Sequence, residues 1–208
     1  KKLVSPILAK LFLYCLAAPV RLAAQQLSEI KLPAPQTEGG KPLMQALMAR
    51  QTIRSYVDKD LPRQVLSNLM WAAFGVNRKQ GPRGGLGRTA PSAMNAQEID
   101  LYVATPEGVF LYDAASHALK PVLAGDLRGK LGPAAAAKAG VTIIYVADYS
   151  RYGNVGDAAT RKAWANVAAG FIGQNVYLFA ASEGLGAWYR AMIPEKENLA
   201  KTLKLRSD

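Results

Sequence analysis

The 208-residue sequence predicts a single α+β domain, and three observations carry that prediction. Strand-like and helix-like segments are mixed without the regular strand–helix–strand alternation of a parallel sheet. Two alternating apolar runs, "IDLYVAT" and "GVFLYD", flank the turn "PEG" and read as a β-hairpin. The stretch from Asp157 to Gly184 keeps a helical period and is apolar nearly all round, which marks a helix that is central or packed on a second subunit. Apolar residues make up 50% of the chain, enough for a full core.

In chain order, residues 1–24 read as a secretory leader: Lys1 and Lys2, an apolar run "LFLYCLAAPV", then small residues near Ala24 for cleavage. The apolar run is short for a membrane span. Residues 25–40, with "KLPAPQTEGG", read as a linker or extended arm, and the domain proper as 41–208. Pro42 opens a helix with Leu43, Leu47 and Arg50 roughly on one face and Met44 and Met48 beside them. "TIRSYV" is short and β-like. Asp60 and Pro62 signal a second helix with Val65, Leu66, Leu69, Met70 and Ala73 as its stripe, ended by Gly75. "GVNRKQGPRGGLGRT" reads as a long glycine loop of the kind that is often functional. His117 follows the hairpin and reads as a surface turn residue. "GDLRGKLG" and "AAAAKAG" read as short helical pieces, "VTIIYVAD" as a strongly buried strand and "GAWYRAMI" as another strand. Pro194 opens a last helix carrying Leu199 and Leu203.

Composition narrows the chemistry. The formal charge is +11, but no run of five basic residues occurs and aromatics do not interleave with them, which argues against nucleic acid. Cys15 is the lone cysteine and lies in the leader; His117 is the lone histidine. Multi-histidine metal sites, a thiol nucleophile in the mature chain and most Ser–His–Asp arrangements are therefore excluded, and no metal is expected. The chain must act through Arg, Asn, Ser, Tyr and backbone amides, or through a cofactor.

Three motifs stand out. Gly85-x-Gly87-x-x-Ala90 approaches the dinucleotide fingerprint, but no strand precedes it and Pro91 closes it, so that reading fails. In "ARQTIRSY", Arg50 and Arg54 with Thr52 between them form a candidate phosphate clamp. In "RTAPSAMNAQ", Ser92, Asn95 and Gln97 bring polar side chains to a turn just before the hairpin, with small Ala93 admitting close approach.

Taken together, these segments resemble the nitroreductase superfamily of FMN-dependent flavoproteins over roughly residues 41–206. Arg50, Thr52 and Arg54 match the family's Arg-x-Ser/Thr-x-Arg/Lys motif. Pro91, Ser92 and Asn95 match its Pro-Ser-x-x-Asn motif. "NVYLFAASEGLGAWYRAMI" matches its long helix ending in Gly-Leu-Gly. "LMWAAFGVNR", "RTAPSA" and "GVFLYDAASHALKPV" look most like the branch holding azoline-oxidising peptide dehydrogenases.

The resemblance implies a central, mostly antiparallel sheet flanked by helices in a homodimer, with the long apolar helix at the interface. It implies FMN as cofactor, its phosphate held by Arg50 and Arg54, with Thr52 near the ribityl chain or pyrimidine edge. Gln51 sits where relatives often carry Arg or His. Arg88 falls near the phosphate or flavin edge. Pro91, Ser92 and Asn95 would line the ribityl and ring from across the dimer interface. Gly186, Ala187 and Trp188 would run beside the flavin, with Tyr189 and Arg190 as candidate substrate or flavin-edge contacts. The family usually closes with a further strand and a basic phosphate ligand; Lys204 and Arg206 are not assigned that role. The implied activity is ping-pong electron transfer from NAD(P)H or another reduced donor to a small organic acceptor. Its rivals are a dehydrogenase of modified peptides, a non-catalytic flavin binder, and a basic envelope protein holding acidic polymers. The leader implies a periplasmic or otherwise exported protein.

Overall fold

A computed structural model describes residues 27–81, 84–191 and 196–206. The leader reading, with Lys1, Lys2 and Cys15, lies outside the described residues.

The core is an antiparallel sheet of five strands: β1 (Ile30–Lys31), β4 (Ile99–Ala104), β5 (Gly108–Asp113), β6 (Ala118–Ala124) and β7 (Thr142–Ala147), in the order β1-β6-β5-β4-β7. β4 is paired on both sides, Tyr102 opposing Leu111 on one and Ile144 on the other. The period-two alternation of strand side chains sorts them onto two faces. Ile99, Leu101, Val103, Phe110, Tyr112, Ile143 and Tyr145 join the larger core. Ala104, Val109, Ile144, Leu127, Leu131 and Leu203 form a smaller one on the other side.

The larger core is closed by α2 (Arg63–Phe74) and α3 (Ala158–Glu183). α3 begins where the Asp157 carboxylate accepts from the Thr160 amide at 2.7 Å, and ends at Gly184, which takes a left-handed φ of 70°. Its inward positions are mostly small, Ala165, Ala168, Ala169, Gly173 and Ala180, so neighbouring elements approach closely. α1 (Leu43–Ala49) packs on α3, yet only Ala46 is buried there. Leu43, Met44, Leu47 and Met48 are exposed, as are Val167 and Phe171 on α3. Among the described residues no helix is long and apolar enough to cross a membrane.

Several expectations are corrected. "TIRSYV" and the described part of "GAWYRAMI" belong to no strand, since a single backbone bond, Ile53 N–H to the Ala187 carbonyl, joins them and the Tyr189 amide is taken by the Tyr177 hydroxyl. The glycine loop contains a small hairpin, β2 (Val76–Arg78) with β3 (Gly87–Arg88). "GDLRGKLG" and "AAAAKAG" make 3₁₀ turns at Arg128–Lys130 and Ala134–Lys138. β6, which contains Pro121, was not expected as a strand; Pro121 sits at a register shift, where a missing N–H is tolerated. The last helix, α4, spans Lys196–Thr202.

His117 is the largest correction. Its ring is half-buried and bridges two elements: Ser67 Oγ lies 2.7 Å from Nε2, and Tyr112 Oη lies 2.9 Å from Nδ1. Ser67 donates to the Pro33 carbonyl at 2.5 Å, so it accepts from Nε2–H, and the Tyr112 hydroxyl donates to Nδ1. With Leu32 N–H donating to the His117 carbonyl, this relay ties the amino-terminal arm to α2 and the hairpin.

Burial holds the His117 pKa below its ordinary 6.5. The unfolded chain therefore binds more protons at acid pH, and the stabilisation is complete above that value and lost as pH falls below it. Urea midpoints at about pH 8 and about pH 5.5 should differ in the wild type, and His117→Gln should shrink that difference. Ser67→Ala, which leaves two half-buried partners unsatisfied, should cost about 1–2 kcal/mol in the same assay.

Candidate functional site

α1 stops at Arg50, whose amide still bonds to the Ala46 carbonyl while its φ and ψ of −59° and 120° turn the chain extended. From there residues 50–56 run beside the segment that follows Gly184. Ile53 N–H donates to the Ala187 carbonyl at 3.0 Å. Gly186 permits this approach, because a Cβ there would stand 3.0 Å from Ile53 Cγ2.

Tyr177 on α3 joins the two segments. Its hydroxyl accepts from the Tyr189 amide at 2.9 Å and lies 3.0 Å from Thr52 Oγ1. Its ring lies under the Arg50 guanidinium at 5.4 Å. The Trp188 indole carries two guanidiniums, Arg54 at 5.3 Å and Arg190 at 5.2 Å. Arg50, Arg54 and Arg190 form no ion pair among the described residues. The amides of Ala187 and Trp188 likewise donate to no described residue. The cluster is therefore a set of unspent cationic and N–H donors against aromatic surface, a chemistry that suits an anion attached to a planar ring.

Tyr56, Tyr145 and Tyr189 line the groove in front of this cluster. Burial raises the pKa of all three, with Tyr177 adding to the effect at Tyr56 and Tyr189 to that at Tyr145. They stand as neutral phenols, able to donate hydrogen bonds without adding negative charge.

Residues 88–97 form a second, separate unit. Arg88 Nε donates to Gln97 Oε1 at 2.6 Å and its NH1 to the Phe74 carbonyl at 3.1 Å. Ser92 Oγ accepts from the Gln97 amide at 2.9 Å. Gln97 Nε2 donates to the Leu86 carbonyl and to Asn95 Oδ1, and Asn95 Nδ2 to Leu86. These bonds hold Met94, Asn95 and Gln97 at φ of 55°, 56° and 53°, a left-handed run that residues other than glycine adopt only when surroundings enforce it. Burial is the main cause lowering the Arg88 pKa. Pro91 and Gln51 are exposed. Directly after Gln97, Glu98 is fully buried, and burial first, then the Glu98 carboxylate, raises the pKa of the neighbouring buried Tyr152 hydroxyl.

The structure thus brings Arg50, Thr52 and Arg54 together with Gly186, Ala187, Trp188, Tyr189 and Arg190. Among the described residues that line the groove, Arg88, Pro91, Ser92 and Asn95 are absent. Asn175 contacts the second unit, donating to the Thr89 carbonyl at 3.3 Å. Two residues along a helix turn about 200°, so Asn175 and Tyr177 address different sides of α3. Tyr177 escaped the sequence reading because it sits in the apolar run "NVYLF"; a lone hydroxyl on a buried helix was its only signal.

The nitroreductase family profile matches residues 47–208. A Methanocaldococcus jannaschii protein named as a nitroreductase is 31% identical, covering 69% of this chain and 75% of that one. A Ralstonia eutropha crystal structure also named as a nitroreductase superposes with a TM-score of 0.80 at 38% identity, covering 88% of this chain and 84% of that one. A Staphylococcus epidermidis protein named as an NAD(P)H:FMN oxidoreductase has a TM-score of 0.57 at 13% identity over 84% and 85% of the two chains, a likeness of fold alone.

Tyr177→Phe should leave the fold standing while releasing both the Tyr189 amide and Thr52. The expected loss is about 1–2 kcal/mol in chemical denaturation. Native-state hydrogen exchange at the Tyr189 amide should quicken by roughly tenfold.

Proposed function

The chain belongs to the nitroreductase family and is an oxidoreductase of that family; from this premise we propose that it works through bound FMN, with NAD(P)H or another reduced donor and a small organic acceptor. The observation that carries the proposal is the pair of unpaired guanidiniums, Arg50 and Arg54, beside the unspent amides of Ala187 and Trp188. This donor set fits a phosphate monoester joined to an electron-accepting ring.

FMN bound there supplies the redox chemistry, taking an electron pair from the donor and delivering it to the acceptor. Arg50 and Arg54 hold its phosphate through forked, charge-assisted hydrogen bonds, and Tyr177 fixes the distance between their segment and residues 186–190. Thr52 serves the ribityl chain or pyrimidine edge, with Gln51 beside it. The backbone of Gly186, Ala187 and Trp188 runs along the ring, and its free amides stabilise negative charge on that edge. The neutral phenols of the groove orient and shield the ligand.

A second copy of the chain completes the site. Its Arg88, Pro91, Ser92 and Asn95 come alongside the ring, which accounts for the separation of the two units within one chain. The same association covers the exposed Leu43, Met44, Leu47, Met48, Val167 and Phe171.

Arg50→Ala combined with Arg54→Ala should weaken FMN binding by roughly 100-fold or more while the circular dichroism spectrum is retained. Unchanged FMN affinity would remove the phosphate-clamp assignment. Anaerobic titration of the FMN-loaded protein with NAD(P)H should bleach the flavin, and a nitroaromatic or quinone should restore it. Binding without reduction by any donor would leave a flavin carrier instead of an enzyme.

A further inference from the structure

Arg190 is a cation that the cofactor reading does not use. Its guanidinium lies against the Trp188 indole and donates NH2 to the Leu131 carbonyl. It rests across Gly132, where any Cβ would collide with it. One edge of the fork is thus fixed to backbone and the rest of its donors remain unspent among the described residues. Such a guanidinium is preorganised, with little rotamer freedom left to lose on binding an anion.

No acid of the groove neutralises it. Asp148 is engaged by Arg151 and Arg206, and Asp100 by Arg151. Asp58 and Asp60 act on Arg128, which is itself paired with Asp126. Arg54 approaches the same indole, so two like charges share one aromatic surface with no counter-ion among the described residues. If Arg54 serves a cofactor phosphate, one positive charge remains over. Around it the groove offers aromatic walls: the Tyr145 and Tyr189 rings are 5.6 Å apart, and one edge of the Tyr189 ring packs on Gly173, where any Cβ would displace it.

We propose that Arg190 and the surrounding Trp188, Tyr189 and Tyr56 form a subsite for the carboxylate of a planar aromatic acid, making anionic aromatics the preferred acceptor class. The proposal rests on the FMN reading above for its role in turnover, but the subsite itself is a property of the protein. The uncharged phenols contribute hydrogen-bond donors without repelling the anion, and the guanidinium supplies both charge and direction. A neutral isostere would leave that fork unpaired in the occupied groove.

The test compares para-nitrobenzoate with para-nitrobenzamide, equal in shape and differing in charge. Calorimetry on FMN-loaded wild type should give roughly tenfold tighter binding of the benzoate, mirrored in kcat/KM. Arg190→Gln should collapse the ratio by weakening the benzoate, and Arg190→Lys should keep part of it. Gly132→Ala, which displaces the guanidinium without removing its charge, should also lower the ratio and stands in if Arg190→Gln fails to fold. A ratio near one in the wild type overturns the proposal. So does a ratio unmoved by Arg190→Gln, equal weakening of both probes (packing alone), or loss of FMN from Arg190→Gln (a phosphate ligand). Should the wild type take up no FMN, the cofactor reading falls by itself. Calorimetry on the flavin-free protein then decides the subsite: a benzoate preference abolished by Arg190→Gln supports it, and equal binding of the two probes overturns it.

Discussion

One phenolic hydroxyl holds the candidate site in register. Tyr177 reaches from α3 to Thr52 on one side and to the Tyr189 amide on the other, and its ring carries Arg50. Everything in front of it depends on that junction: the pairing of Ile53 with Ala187, the close pass at Gly186, and the two guanidiniums on Trp188. A hydroxyl inside an apolar helix costs burial unless it finds hydrogen-bond partners, and here it has two, the Tyr189 amide and the Thr52 hydroxyl.

α3 is the element that makes this possible. Its inner face is built of alanine and glycine, so sheet, α1 and α2 all come near it without large side chains intervening. The apolar residues it does carry outward, Val167 and Phe171, lie on the side away from the core, and α1 presents Leu43, Met44, Leu47 and Met48 in the same exposed manner. Two helices packed on each other and both apolar toward solvent form a surface whose burial would contribute about 25 cal/mol per Å² covered.

The parts of the fold legible in the sequence were those with one dominant period. The hairpin of β4 and β5 alternates cleanly, and the stripe of α2 follows Leu66, Leu69, Met70 and Ala73. What escaped depended on contacts between distant residues. β6 hides behind Lys120 and Pro121, and only its pairing with β5 makes it a strand. Residues 186–191 look like a strand because Trp188 and Tyr189 are good strand residues, but they spend their backbone on Ile53 and Tyr177 instead of on a ladder. His117 looked like a turn residue because nothing nearby in sequence announces Ser67. The motif residues were legible as a group, and the resemblance already set 88–97 apart from 50–54 by assigning it to a partner subunit; the part played by Tyr177 between 50–54 and 186–190 was not legible.

Gly184 sends the chain back along the helix it has just left, so the link between Tyr177 and Tyr189 closes a loop of 12 residues, whereas that between Tyr177 and Thr52 closes one of 125. Loop-closure entropy alone makes the longer connection costlier by about 2 kcal/mol. The two halves of the junction therefore differ in the chain entropy that folding must overcome to form them. The returning tail is a local annex of α3 that assembles with the helix. The Arg50–Tyr56 stretch reaches the same hydroxyl only through the docking of α1 on α3, so the front wall of the groove is a product of tertiary packing and not of local chain geometry.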